Sequence, residues 1–424
     1  MTTKTYERFH ETVHILKLKN GMKVHILPKE DPYYTTYVEL SLPYGALHLD
    51  YEVAGQQHTS PPGSAHFLEH KIFAMPDGDA FAKFSKLGVD ANAMTAYNQT
   101  SYLFSASDNV MAALEHLLAM IDTPYFTKEN VAQEKSIISE ELKMYLDDPD
   151  VVMQNQLMTN MYKDHPIRHD IGGTLDSIEA MTPELLAELH TSFYQPANRL
   201  LVIAGKVDLK ALKTFFKDYD AKFPEKLARP KPVIGKETKR VPVRRQIAKM
   251  PIGIHKLMIG IKLDAKRRPK KMQVRRELAV SMVLNMLLGP SSKMYAYLLE
   301  KELINQNFHL MTTFEQRAEN IVIYAETKQI NTLKGMLVTL LTEQAKVDIG
   351  KEAFERYKKV YLGQFIFALN HLETKAHLYG KYHHLGLSLF DVVDMLQDIT
   401  FEDIEATLSE FKKRRMATLV FKKA

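Results

Sequence analysis

Residues 66–70 have the sequence HFLEH and lie within the longer stretch PPGSAHFLEHKIFAM. The Ser and Pro residues before the apolar-periodic part are typical of a helix start. On an α-helix, residues four apart lie on one face, so His66 and His70 can direct two imidazoles at one metal ion. Glu69 lies beside this pair, where a general base for a metal-bound water is needed. By itself, the pentapeptide is equally compatible with a helix that carries two histidines by chance.

A catalytic zinc site also needs a third protein ligand and one open position. The chain contains no cysteine, so the third ligand must be a His, Asp or Glu. Residues 129–145, ENVAQEKSIISEELKMY, are predicted to form an amphipathic helix that carries Glu134, Glu140 and Glu141. Glu134 and Glu141 are about two turns apart and share a face. A solvated acidic face is the competing interpretation of this helix.

The order of predicted elements indicates two domains in the chain of 424 residues. LKLKNGMKVHILPK near the N-terminus predicts a β-hairpin around an Asn-Gly turn. A strand, two helices, a strand pair, further helices and a closing strand follow, and the same order returns after residue 250. We therefore predict an α+β protein made of two tandem homologous domains.

The predicted boundaries are 1–220 for the first domain, 221–250 for a linker and 251–424 for a second repeat that lacks metal ligands. The linker prediction depends on four prolines and on ten Lys or Arg residues against two Glu. This composition predicts an extended connection between the two domains.

Composition and segment lengths restrict the class of protein. The chain has 45% hydrophobic and 25% charged residues, as soluble globular proteins do, and a formal net charge of +5. Its N-terminus lacks the apolar region of a secretory signal and no run is long enough for a membrane span, so we expect a cytoplasmic protein. The basic segments 221–250 and 265–276 have no aromatic interleaving, which favours a solvated surface over nucleic-acid binding.

The spacing of the two helices carries a resemblance to a known family. HFLEH, followed 71 residues after His70 by Glu141, resembles the inverted-zinc-motif peptidases, the group of pitrilysin, insulysin and mitochondrial processing peptidase. DAFAKFSKLGVDANAMTAYNQTSYLF is similar to the helix and edge strand that follow this motif in the family. The resemblance covers most of residues 15–210 and continues more weakly through 250–424. It implies mainly antiparallel sheets covered by helices, as in half of a pitrilysin-type chamber.

The resemblance implies a role for each matching residue of the two helices. His66, His70 and Glu141 are implied as ligands of a catalytic Zn²⁺ ion. Glu69 is implied as the catalytic base that activates water, and Glu134 as a carboxylate that orients a ligand histidine. The function implied is zinc-dependent hydrolysis of peptides or unfolded segments.

The resemblance also implies where substrates and partners bind. Asn92, Ala93, Met94 and Thr95 fall on the edge strand that binds the substrate as an added β-strand in this family. Because two domains make half of a chamber, a homodimer or a heterodimer with a related family member is implied. The alternative function is that of a non-catalytic peptide-binding subunit in such a heterodimer.

The second repeat departs from the family pattern at one position pair. Catalytic members often carry an Arg and a Tyr, seven residues apart, near the scissile carbonyl. In LLEKELINQNF these positions are Leu299 and Gln306. Oxyanion stabilisation then comes from a partner subunit, comes from another group or is weak. The missing pair favours the non-catalytic alternative, whereas the complete HFLEH and glutamate set favours the enzyme.

Overall fold

The computed structural model describes residues 1–30, 32–220, 228–344 and 349–424. The strands are β1 Thr2–Tyr6, β2 Glu11–Lys17, β3 Lys23–Pro28, β4 Thr36–Leu42, β5 Asp50–Val53, β6 Gln56–Thr59, β7 Ala74–Met75, β8 Gly78–Asp79, β9 Asp90–Thr95, β10 Thr100–Ala106, β11 Leu200–Gly205, β12 Lys231–Pro232, β13 Arg245–Met250, β14 Lys256–Lys262, β15 His309–Glu315, β16 Ala318–Glu326 and β17 Met416–Lys423. The α-helices are α1 Ser64–Ile72, α2 Ala80–Lys86, α3 Val110–Asp122, α4 Lys128–Asp147, α5 Pro149–Met161, α6 Leu175–Glu179, α7 Pro183–Phe193, α8 Leu209–Asp220, α9 Lys270–Leu288, α10 Lys293–Glu300, α11 Ile330–Thr339, α12 Lys351–Ala368, α13 Leu372–His384, α14 Leu389–Gln397 and α15 Phe401–Leu408. Within these ranges, none of the helices combines the length and the apolar character that crossing a membrane requires.

The chain forms two compact units, and each unit is assembled from three segments. The first unit comprises Met1–Leu142, Asp170–Val233 and Phe367–Phe390. The second comprises Lys143–His169, Ile234–Ile366 and Asp391–Ala424. The division at 1–220, 221–250 and 251–424 therefore remains a prediction about the order of repeats along the sequence. Residues 221–227 of the predicted linker lie outside the described residues, and Arg245–Met250 of it forms β13.

Each unit is built on a mainly antiparallel sheet. The first sheet has the strand order β1-β2-β3-β11-β4-β10-β9, and only β3 and β11 are parallel neighbours. The second has the order β13-β17-β14-β16-β15, and only β13 and β17 are parallel. The second sheet thus repeats the order and directions of the last five strands of the first, which confirms the predicted α+β fold of two homologous repeats.

Local sequence explains the elements that position the site. The Leu18 N–H donates to the Met22 carbonyl at 3.0 Å and closes the predicted hairpin, with Gly21 at φ 93° in its turn. Gly tolerates this left-handed conformation because it has no Cβ. Strand β4 is buried along its whole length, since it lies between β11 and β10 in the middle of the first sheet.

Each sheet also packs against a helix from the other half of the sequence. In the first unit α13 packs on β4 and β11, and Lys375 Nζ donates to Glu11 Oε1 at 2.5 Å. In the second unit α5 packs on β14 and β17, and Lys256 Nζ lies 2.8 Å from Asp150 Oδ1. Among the helices that the structure describes, α5 and α13 are each the fifth of their repeat, so the exchange is reciprocal.

Candidate active site

Helix α1 carries the HFLEH residues and begins at a close backbone crossing. Gly63, which precedes the helix, has φ 85°. A Cβ at this position would lie 2.5 Å from the carbonyl oxygen of Gly172, so a side chain cannot be accommodated here. Phe67, Leu68 and Ile72 are buried in the core of the first unit and set the rotation of the helix.

His66, His70 and Glu141 come together in the first unit. One ligand atom of each lies within 4.8 Å of the others, and no other trio of His, Asp or Glu in the described ranges does so. Glu141 Oε2 is 3.9 Å from His66 Nε2 and 3.7 Å from His70 Nε2. Two ligands bound about 2.0–2.1 Å from a tetrahedral zinc ion are about 3.4 Å apart, so these residues fit a zinc site after small side-chain movements. Glu141 belongs to α4, which confirms the helix predicted over 129–145.

Glu134, also on α4, contacts the other ring nitrogen of His70. His70 Nδ1 donates to Glu134 Oε1 at 3.2 Å, and Lys71 Nζ donates to Oε2 of the same carboxylate at 3.3 Å. Burial opposes ionisation of Glu134, but the hydrogen bonds and charges of His70 and Lys71 outweigh it and lower the pKa of the carboxyl. A ligand histidine whose Nδ1–H is held by a carboxylate presents the lone pair of Nε2 to a metal.

Glu69 lies next to the cluster and is 8% exposed. Thr95 Oγ1 donates to Glu69 Oε2 at 2.5 Å. Burial raises the pKa of the Glu69 carboxyl above its ordinary value, although the hydrogen bond from Thr95 and the charge of His70 act in the opposite direction. A raised pKa brings a carboxyl closer to the pH at which general bases work. The sequence pattern predicts Thr95 only as a residue of the edge strand and does not predict its contact with Glu69.

Asn92, Ala93, Met94 and Thr95 lie on β9, an edge strand of the first sheet. In this sheet β9 pairs with β10 alone among the strands that the structure describes. Asn92 and Met94 are exposed, and Ala93 and Thr95 are half-buried. A strand with one unpaired edge can accept an extended peptide by backbone hydrogen bonding.

A cavity of about 560 Å³ in the first unit is lined by Glu69 and His70. Its wall includes Phe73 and Phe81, whose rings stack with centroids 4.2 Å apart, and Ile137 of α4. Apolar walls beside a few polar groups are typical of ligand pockets. The sequence does not assign Phe73, Phe81 or Ile137 to a pocket, because apolar side chains at such positions are indistinguishable from core residues before the fold is known.

Leu299 and Gln306 belong to the second unit. Leu299 is 44% exposed on α10, and Gln306 is exposed in the turn after this helix. Neither side chain carries the cation or the phenol of the pair expected from the family pattern.

Comparison with protein-family models and curated proteins identifies relatives over the whole chain. The insulinase family (peptidase family M16) matches residues 55–175, and the peptidase M16 inactive domain matches residues 180–361. "Uncharacterized zinc protease YmfH" of Bacillus subtilis is 36% identical over 416 residues, which cover 96% of this chain and 95% of the relative. "Zinc protease PqqE" of Helicobacter pylori is 24% identical over 438 residues, which cover 100% of this chain and 95% of the relative.

Solved structures show the same fold. A crystal structure described as that of an M16-like peptidase from Alicyclobacillus acidocaldarius superposes with a TM-score of 0.93 at 26% identity, and both chains are covered in full. The periplasmic protease PqqL of Escherichia coli gives a TM-score of 0.78 at 17% identity. The match covers 100% of this chain and 48% of PqqL. The chain therefore belongs to the insulinase family, peptidase family M16.

Proposed function

We propose that this protein is a zinc metallopeptidase that hydrolyses peptides or unfolded segments. The observation that carries the proposal is the set of two imidazoles and one carboxylate within 4.8 Å of one another, with the buried Glu69 beside them. Relatives that are named zinc proteases support the identity of the metal.

The residues of the first unit would divide the chemistry between them. His66, His70 and Glu141 would hold a Zn²⁺ ion, which would supply a Lewis acid and lower the pKa of water. Glu69 takes the proton of the attacking water and passes a proton to the leaving amine. Glu134 keeps the imidazole of His70 in the tautomer whose Nε2 faces the cluster.

Strand β9 and the neighbouring cavity would hold the substrate. An extended peptide adds to the free edge at Asn92, Ala93, Met94 and Thr95, so that recognition depends mainly on its backbone. The apolar wall formed by Phe73, Phe81 and Ile137 fits an apolar side chain near the cleaved bond. This combination favours unfolded peptides of varied sequence over folded proteins.

We also propose that the working enzyme is a cytoplasmic dimer, formed with a second copy or with a related chain. The family resemblance supports this assembly, and so does the likeness to PqqL, one chain of which has about twice the length covered here. Size-exclusion chromatography with light scattering tests it, because a monomer at micromolar concentration that retains full activity is incompatible with the proposal.

The zinc content and the turnover of an unfolded peptide test the proposed activity. We expect one zinc ion per chain, hydrolysis that a chelator stops and added zinc restores, and a fall of about 10²–10⁴-fold in kcat for Glu69→Gln with zinc retained. Glu115→Gln, an exposed substitution on α3, serves as the matched control and leaves the rate unchanged. Purified protein without zinc, or full activity of Glu69→Gln, would contradict the proposal.

A non-catalytic peptide-binding subunit is the second candidate function. The observation that favours it is the presence of Leu299 and Gln306 where catalytic relatives often carry an Arg and a Tyr. Peptide binding without turnover by the isolated chain, together with turnover after a related chain is added, would support this function. Hydrolysis by the isolated chain would exclude it.

A further inference from the structure

We infer that Asp170 is a positioning residue for His66: when zinc is bound through Nε2 of His66, the Asp170 carboxylate is the acceptor for the Nδ1–H, across the space that Gly172 leaves open. The inference rests on the proposed zinc site, and it concerns the ligand histidine that Glu134 does not reach.

The two ligand histidines differ in what holds their second nitrogen. His70 Nδ1 donates to Glu134, whereas His66 Nδ1 is buried and has no hydrogen-bond partner among the described residues. An imidazole that binds a metal through Nε2 must carry its proton on Nδ1. A buried N–H of this kind needs an acceptor, and ligand histidines almost always have one.

Asp170 supplies the carboxylate next to this nitrogen. A Cβ on Gly172 would lie 3.7 Å from His66 Nδ1 and 3.2 Å from Asp170 Oδ1, so both atoms border the same space. Asp170 Oδ1 accepts the Gly172 N–H at 2.7 Å, and a carboxylate can accept about four hydrogen bonds.

The backbone holds the Asp170 segment against the start of α1. Gly173 has φ 86°, and a Cβ there would lie 2.6 Å from the Pro62 carbonyl oxygen and 3.0 Å from Gly63 Cα. Gly63 in turn touches Gly172. The segment and the helix therefore meet at van der Waals distance three residues before His66, which keeps Asp170 close to the imidazole.

A purely structural role is the competing explanation, in which Asp170 only shapes the segment through the Gly172 N–H. Asp170→Asn separates the two roles, because Asn keeps an oxygen for Gly172 but removes the charge that strengthens the contact with His66. We expect zinc affinity, measured by competition with a chelator, to fall about 10- to 100-fold. The thermal midpoint of the zinc-free variant should equal that of the zinc-free parent. Glu134→Gln, the matched change at His70, should weaken zinc binding to a similar extent.

Gly172→Ala provides a second variant, because its methyl group would lie 3.2 Å from Asp170 Oδ1 and 3.7 Å from His66 Nδ1, next to the flexible end of Leu142 at 2.9 Å. We expect the same loss of zinc affinity, and in zinc-loaded protein a His66 Nδ1–H NMR signal that is protected in the parent and lost in both variants. An Asp170→Asn protein with parental zinc affinity and a parental His66 signal would overturn the inference and leave the proposed zinc site intact. A parent protein that binds no zinc would overturn both.

Discussion

The two units share one sheet topology and use their polar side chains differently. In the first, α1 and α4 gather His66, His70 and Glu141. In the second, the described residues contain no such group. The first helix of that repeat, α9, instead places Arg276 between two carboxylates, with Nε 2.7 Å from Glu319 Oε2 and Nη2 2.7 Å from Glu410 Oε2. The comparison teaches that the fold does not depend on metal ligands, since the second repeat keeps the topology with ion pairs.

The difference extends to the charge of each unit. The first contains 22 Lys and Arg against 28 Asp and Glu, a formal net charge of −6, and the second contains 34 against 23, a net charge of +11. The cavity of the first unit has an apolar wall beside the candidate active site, whereas a cavity of about 370 Å³ in the second is lined by Arg245, Lys328, Lys334 and Lys422. The small net charge of the whole chain conceals this asymmetry.

The first prediction tests this comparison by removing a candidate zinc ligand from the first unit and a histidine from the second. His70→Ala should lower zinc affinity by more than about 100-fold, the upper end for loss of a residue that merely supports a ligand. His309→Ala, on the edge strand β15 of the second unit, should leave zinc affinity unchanged. Chelator competition measures both. Equal losses would show that zinc does not bind at the candidate site of the first unit.

The exchanged helices give the second prediction, which concerns buried lysines. Lys375 on α13 is 3% exposed, and Glu11 is its ion-pair partner among the described residues. Lys256, which packs near α5 in the second unit, has both Asp150 and Glu326. Glu11→Gln should therefore reduce the free energy of unfolding by about 3 kcal/mol, because it leaves a buried cation unpaired.

Glu326→Gln is the matched change in the second unit and should cost about 1 kcal/mol, because Asp150 still faces Lys256. Urea unfolding monitored by circular dichroism measures both variants. If Glu326→Gln reduced the free energy of unfolding more than Glu11→Gln did, the number of carboxylate partners of each buried lysine would not explain the difference between the two helix–sheet contacts.

The exchange of α5 and α13 also shows a feature of the fold that the sequence does not predict. Asn20 and Gly21 predict a hairpin, and HFLEH predicts a helix, because turn chemistry and periodicity act within a few residues. Which sheet a helix covers depends on contacts between residues hundreds of positions apart, such as Lys375 with Glu11, and no local pattern encodes them. The same limit explains why the pairing of Thr95 with Glu69 was not predicted although each residue was singled out.

Acidification gives the third prediction, because histidines line the contact of α13 with the first sheet. Burial, followed by the charges of His383 and Lys23, lowers the pKa of His25 and of His384 from 6.5 to about 3. The unfolded chain therefore binds more protons than the folded chain between pH 6.5 and about 3. The stability that the two neutral histidines contribute is fully present above pH 6.5 and is lost as the pH falls. The loss approaches about 1.4 kcal/mol per pH unit for each histidine. His377 partly offsets this loss of stability, because the hydrogen bond with Glu39 raises the pKa of His377 although burial lowers it.

The contact of α5 with the second sheet should respond at lower pH. Burial opposes ionisation of Glu326, but its hydrogen bonds with Lys256, Asn305 and Asn307 lower the pKa of the carboxyl from 4.5 to about 2. The contribution of Glu326 to stability is therefore lost only as the pH falls through that range. Hydrogen exchange of zinc-free protein at pH 7 and pH 5, corrected for intrinsic rates, should show α13 losing protection while α5 keeps it. His384→Gln should reduce the change in α13. Parallel loss in both helices would contradict the assignment to these histidines.

The prediction with the smallest expected effect concerns whether the apolar cavity of the first unit selects substrates. Ile137, 50% exposed in its wall, can be replaced by Asn with little cost to folding. We expect kcat/KM for a peptide with Phe near the cleaved bond to fall about 10-fold, as for other changes of apolar contact in a pocket, and that for the matching Ala peptide to stay constant. Ile247→Asn, 44% exposed in a cationic cavity of the second unit, is the control and should change neither rate. The ratio of the two rates is the decisive quantity, because damage to the candidate metal ligands or to the fold lowers both rates equally, whereas loss of an apolar contact lowers only the rate for the Phe peptide.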